Sequence, residues 1–305
     1  LWTNATRLEA AAQRGSPARA AFSWLASTAE MEDRIAIESG MQPSQGIPQP
    51  WITIPFHSRA PEVYRGAYWI GWYAGCDWVV VREDRVVRFL RERERYPQFL
   101  RFYLDLKAQA KEERVFGDQS GQRVRVLRQE RSATPLATGW RARVAAGPAA
   151  GLPGGFLANL GAFFARAGES AAAVELLEEA RTAGYDDLGI HLNLAAALLE
   201  QGRELAAGRV LDEALQRHPD SPELLYNLGL TAVRAQLWER AARVLRRLRT
   251  IWPRSAETAY LLGIALGNLQ RFDAARAELE AALALGLEGE DRAEAQSLLQ
   301  QLERR

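Results

Sequence analysis

The sequence predicts a two-domain chain: an α/β domain at residues 1–130, with an open, mostly parallel sheet covered by helices, and an all-α array of stacked helical pairs from residue 154 onward. Three observations carry this reading. Strand-like and helix-like segments alternate through the first part. A fixed 34-residue step recurs through the second. Between them, residues 131–153 ("RSATPLATGWRARVAAGPAAGLP") hold Pro, Gly, Ala and Ser without a period and read as a linker.

In chain order, "TRLEAAAQRGSPARAAFSWLAST" has helical spacing, with Leu8, Ala11 and Ala12, then Ala21, Trp24 and Leu25, able to share a face. Gly15, Ser16 and Pro17 should break it into two helices. "DRIAIES" and "WITIPF" follow as candidate strands, and "DWVVVRE" as a third, whose three valines suit a strand buried on both faces. Between the last two, "PEVYRGAYWIGWYAG" reads as a helix with a Gly-rich end. "DRVVRFLRER" and "YPQFLRFYLDLKAQA" read as helices, and "ERVFG" and "QRVRVLRQ" as the last strands.

The second part is periodic. Gly161, Ala195, Gly229 and Gly263 stand 34 residues apart, as do Leu160, Leu194, Leu228 and Leu262. The same step links Ala173, Ala207, Ala241 and Ala275, then Leu177, Leu211, Leu245 and Leu279. Antiparallel helices approach closely only where side chains are small, so Gly229 and Ala241 mark a crossing, and Pro219 and Pro253 end helices because proline lacks an amide proton. Four units follow, 154–187, 188–221, 222–255 and 256–289, then a capping helix at 290–305. The first and last units carry Tyr185 and Leu287 where the other two carry proline.

This pattern resembles the tetratricopeptide repeat (TPR); residues 222–255 match it through Leu225, Leu228, Gly229, Ala241, Leu245 and Pro253. The resemblance implies a superhelix whose concave face is lined by the first helix of each pair. It would place Leu192, Asn193, Leu199, Tyr226, Leu230, Val233, Tyr260 and Ile264 in a groove that binds a protein or peptide segment, with Glu223 and Glu257 beside them. Asn193 and Asn227 sit where some relatives clamp a peptide carboxylate. The clamp lysines are replaced by Ala158, Leu192 and Tyr226, so an apolar segment is the expected occupant.

The first part also resembles the soluble tail of bacterial mannosyltransferase-like, polyprenyl-phosphate-sugar glycosyltransferases. The match runs through Arg7, Trp24, Arg34 to Glu38, Asp77 to Val81, Tyr96, Pro97, Phe102, Tyr103 and Val124 to Leu127. It implies a membrane portion upstream and a periplasmic or extracytoplasmic position at the bacterial inner membrane, the cytoplasm being the alternative. Catalytic and lipid-sugar contacts would then lie mainly outside this chain, which is expected to be a scaffold rather than a catalyst. That Leu1 and not methionine opens the chain fits a piece of something longer. The alternative is a carbohydrate-active or glycan-binding α/β domain with its own pocket and an accessory TPR array.

Composition narrows the partners. With 39 basic and 38 acidic residues, no overall field draws the chain to nucleic acid. No run approaches the roughly 18 apolar residues of a membrane helix. Cys76 is the only cysteine and cannot form an internal disulfide, and His57, His191 and His218 never pair at a ligand spacing. No metal, cofactor or catalytic residue is therefore expected. The cluster Tyr64, Tyr68, Trp69, Trp72 and Tyr73 is either a surface that stacks on a glycan or sits at a membrane interface, or core packing with domain docking.

Overall fold

The computed structural model describes residues 8–10, 16–41, 47, 49, 51–55, 67–68, 72–73, 75–118, 120–129 and 154–303. The chain divides into two compact units, Leu1–Tyr185 and Asp186–Arg305. The expected linker at 131–153, and with it His57, Tyr64 and Trp69, lies outside the described residues.

The first unit is built on a six-stranded mixed sheet of order β1-β5-β6-β4-β2-β3. Its strands are β1 (Leu8–Ala10), β2 (Ile35–Glu38), β3 (Trp51–Ile54), β4 (Trp78–Arg82), β5 (Ala110–Gly117) and β6 (Arg123–Gln129). β2 pairs in parallel with β3 and β4, and β1 with β5; β6 runs antiparallel to β4 and β5. The helices are α1 (Pro17–Thr28), α2 (Glu83–Arg91) and α3 (Pro97–Gln109). Ser16 caps α1 by accepting from the Arg19 amide, with Pro17 at the first helical position, as the Gly-Ser-Pro break predicts.

Leu8–Ala10 departs from expectation. It forms a strand paired to Val115–Gly117, not a helix, because a partner strand over a hundred residues away supplies what local propensity does not.

Val79, Val80 and Val81 are fully buried between β2 and β6. Side chains alternate across the sheet, so Trp78 and Val80 join Phe22, Leu25, Ile35, Ile37 and Phe116 on the α1 side, and Val79 and Val81 face the other way. Trp24 meets Trp78 edge-on at 5.5 Å. A second aromatic core holds Phe89 stacked on Phe99 at 4.7 Å, with Tyr103 and Phe102 around Tyr68. Asp77 ties the sheet together: its carboxylate accepts from the Arg34 amide at 2.8 Å, while Asp33 accepts from the Trp78 indole at 2.8 Å.

The first helical pair, α4 (Gly154–Arg166) and α5 (Ser170–Thr182), belongs to this same unit. Outer-edge carbonyls of β3 accept from α4: Thr53 from the Asn159 amide at 2.7 Å and Trp51 from Arg166 at 2.6 Å. Trp72 packs edge-on against Phe156, and Arg34 pairs with Glu169 at 2.9 Å. A bare edge strand invites pairing with another chain, and α4 covers this one.

The second unit stacks α6 (Leu188–Glu200), α7 (Glu204–Arg217), α8 (Pro222–Arg234), α9 (Trp238–Ile251), α10 (Ala256–Asn268), α11 (Phe272–Ala284) and α12 (Gly289–Glu303). Caps repeat with the sequence period. Asp187, Ser221 and Ser255, each 34 apart, accept from the amides of Ile190, Leu224 and Thr258. At the crossings, a Cβ on Gly229 would stand 2.4 Å from Leu245, and one on Gly263 2.7 Å from Leu279, which is why the small residue recurs there. Arg240 pairs with Asp212, and Arg249 with Glu278 at 3.1 Å, so arginines join the second helices of successive pairs.

Candidate functional site

The first helices of the second unit lie side by side, α6 against α8 and α8 against α10. Repeat position five supplies Leu192, Tyr226 and Tyr260 in a row, and the next step of 34 lands on Glu294 in α12, so the capping helix continues the row. Leu192, Asn193, Tyr226, Leu230, Val233 and Ile264 are half-buried. Two expected groove residues are not on offer: Leu199 and Tyr260 are each only 5% exposed. Tyr260 is covered because it reaches the next first helix, where its hydroxyl hydrogen-bonds Glu294; burial and that carboxylate both hold its phenol well above the usual range.

Repeat position two adds a charge pattern. Glu223, Glu257 and Asp291 follow one another at the same 34-residue step, and all three are exposed. Tyr226 registers them: its phenol is pushed up first by burial, then by Glu257 and Asp291. Glu223 is held below the ordinary carboxylate range, chiefly by the Ser221 hydroxyl at 2.8 Å. An acidic ladder thus runs beside an apolar and aromatic strip. Sequence reasoning named Glu223 and Glu257 singly; their continuation into Asp291 follows from the same arithmetic.

The asparagines are structural where their contacts are seen. Asn227 donates to the Glu223 carbonyl of its own helix at 2.8 Å, and Asn159, its counterpart in the first pair, holds Thr53 of β3. Of the expected aromatic surface, Tyr68, Trp72 and Tyr73 are core: each is at most 3% exposed, which withdraws it from any surface that could stack on a sugar. Tyr73 donates to the Ala67 carbonyl at 2.7 Å and Trp72 joins the sheet to α4.

A crevice of about 830 Å³ opens at the carboxyl ends of β2 and β4, between Gly40, Met41, Arg82 and the start of α1. Most of its charges are engaged in ion pairs. Arg82 pairs with Asp84 at 2.9 Å, Arg88 with Glu92 at 3.2 Å, and Glu83 holds Arg125 at 2.6 Å. Beneath it, buried Glu38 accepts from the Arg82 amide at 2.7 Å and from the Tyr103 hydroxyl, with Arg85 at 3.7 Å.

The geometry of the second unit defines a solenoid of antiparallel helix pairs, and the comparisons give it a family. A tetratricopeptide repeat profile matches residues 164–222 and 226–286, and a second profile of the same repeat matches 198–251. Residues 164–286 thus carry tetratricopeptide repeats. Similar solved structures include MamA from strain AMB-1, at 30% identity over 50% of this chain and 83% of that one, with a TM-score of 0.43. MamA from Desulfovibrio magneticus RS-1 aligns at 20% identity over 51% of this chain and 96% of that one, with a TM-score of 0.44. YrrB, described as a TPR protein with an unusual peptide-binding site, aligns at 15% identity over 47% and 74%, with a TM-score of 0.44. No curated protein matches the chain. No described helix is long and apolar enough to cross a membrane.

Proposed function

We propose that this protein is an interaction scaffold that holds an extended segment of another protein against the first helices of its repeat array. The observation that supports it most is the juxtaposition of the half-buried strip of Leu192, Tyr226, Leu230 and Ile264 with the ladder Glu223, Glu257 and Asp291. An apolar strip rewards burial of apolar side chains, and the ladder selects for Lys or Arg among them. The partner segment is therefore apolar and basic.

An array of extended peptides, apolar with interspersed Lys/Arg or with Asp/Glu, tests this by fluorescence polarisation with the full chain. The basic set should bind, and more weakly as salt rises. Tyr226→Ala with Glu257→Lys should reduce that binding at least about tenfold with helical circular dichroism unchanged, the size of loss that removing one aromatic anchor of an interface produces. Preference for the acidic set, or indifference to the double substitution, overturns the reading.

The finer part of the proposal is that the α/β unit is the tail of a membrane-bound glycosyltransferase-like protein on the extracytoplasmic side. It rests on the motif order from Arg7 to Leu127 alone. The upstream coding sequence decides it: several membrane helices support it, and a start codon within a few residues of Leu1 removes it.

A further inference from the structure

Where the second unit begins, Asp186, His191 and Glu213 bring three potential ligand atoms within 4.8 Å of one another. Asp186 precedes α6, His191 lies in its first turn, and Glu213 comes from the last turns of α7. His191 is 2% exposed. Its Nδ1 stands 2.9 Å from the Asp187 carbonyl, and a carbonyl oxygen only accepts, so Nδ1 carries the proton and donates. The other ring nitrogen, Nε2, is buried without a hydrogen-bond partner, 3.2 Å from a carboxylate oxygen of Asp186. A lone pair set beside a carboxylate oxygen is repulsive unless a positive charge lies between them.

From this we propose that Asp186, His191 and Glu213 bind a divalent transition-metal ion, of which Zn²⁺ is the representative. Ligands of a tetrahedral zinc stand about 2.0–2.2 Å from the ion, which sets neighbouring donor atoms a little over 3 Å apart. His191 Nε2 and the Asp186 carboxylate have that separation and, off-line for a hydrogen bond, suit an ion placed to one side of the line joining them. A backbone carbonyl accepting from the far ring nitrogen is the usual support of a metal-bound imidazole. One imidazole and two carboxylates leave the fourth position to water.

Arg217 is the competitor. It reaches Asp186 at 2.5 Å and Glu213 at 3.4 Å. Its side chain is 46% exposed, and an ion pair so placed contributes little, so the ion displaces it into solvent at small cost.

The test uses the full chain, stripped with a chelator and titrated with Co²⁺ by visible absorption and with Zn²⁺ by calorimetry and thermal melting. The proposal expects one ion per chain, a tetrahedral Co²⁺ spectrum and a melting midpoint raised by Zn²⁺. His191→Gln should abolish the spectrum, and Glu213→Gln should weaken binding about tenfold or more. Because His191 is buried, Asp186→Asn serves as the second variant: it lies in the connection before α6, should fold by circular dichroism, and should lose binding to the same degree as Glu213→Gln. Arg217→Gln should tighten binding, since it removes the rival cation. No Co²⁺ spectrum in the wild type, or one that persists in folded Asp186→Asn and His191→Gln, overturns the site. The cluster is then an ion-pair network in which Arg217 holds Asp186 and Glu213 beside His191.

Discussion

At the scale of single residues, Glu38 shows how the sheet handles a charge it cannot expose. It sits fully buried at the carboxyl end of β2, and burial raises its carboxyl above the ordinary 4.5, opposed by Arg85 and by donors from Tyr103 and Arg82. An acid whose folded pKa is raised binds its proton more tightly in the native state than in the unfolded chain. Its contribution is therefore complete below the ordinary carboxyl pKa and declines as pH rises from there through the raised value. Glu38→Gln removes that decline: in urea melts collected from pH 4 upward, wild type should lose stability relative to the variant as pH increases. Parallel curves for the two proteins would show that Glu38 titrates normally. In the sequence Glu38 is only the polar end of "DRIAIES"; the burial of its carboxylate depends on Tyr103 and Arg85, and no local pattern announces that.

At the scale of elements, the repeat is legible because each unit carries its own punctuation. The turn between paired helices places Gly168, Gly202, Gln236 and Gln270 at one phase, all in the left-handed region, and each is followed by an amide that reaches back five residues, as from Leu237 to Ala232 at 2.8 Å. Glycine adopts that conformation freely and glutamine does not. Gln236→Gly and Gln270→Gly should each stabilise the array by roughly 0.5–1 kcal/mol, the left-handed penalty of about 1–2 kcal/mol less the greater unfolded-state entropy of glycine. Urea unfolding measures it, and a loss of stability in either variant contradicts it. The units without a closing proline end by the same device: Gly184 and Gly286 are left-handed, and Tyr185 and Leu287 donate back to Ala180 and Ala282 at 3.0 and 3.1 Å. β1 was not legible for the opposite reason. Three residues in a stretch of helical spacing become a strand only because β5 lies alongside, and that partner is far away in sequence. The metal cluster escaped for a similar cause: a search by histidine spacing overlooks one histidine joined by two carboxylates.

At the scale of the whole molecule, the sequence period and the physical units do not coincide. Four similar repeats are visible in sequence, yet the first of them is part of the α/β unit, held by Asn159, Arg166, Phe156 and Glu169. A chain ending at residue 185 should elute as a monomer in size-exclusion chromatography. One ending at residue 153 leaves the Trp51 and Thr53 carbonyls and the Trp72 ring uncovered, and should elute as larger species. Equal monomeric elution of both would show that α4 does not protect the sheet edge.

The fastening of α4 to β3 also bears on how such a chain changes length over its history. Solenoid repeats contact mainly their neighbours, so whole 34-residue modules are readily duplicated or deleted where only like meets like. The first module is exempt. A copy inserted ahead of it would put an unrelated helix on the carbonyls of β3, whereas copies added beyond Asp186 leave that seam as it is. Lineages of this chain should therefore vary in module number downstream of residue 186 while keeping the Asn159 and Arg166 pair at a constant distance from the sheet, a pattern that the lengths of homologous sequences can confirm or refuse.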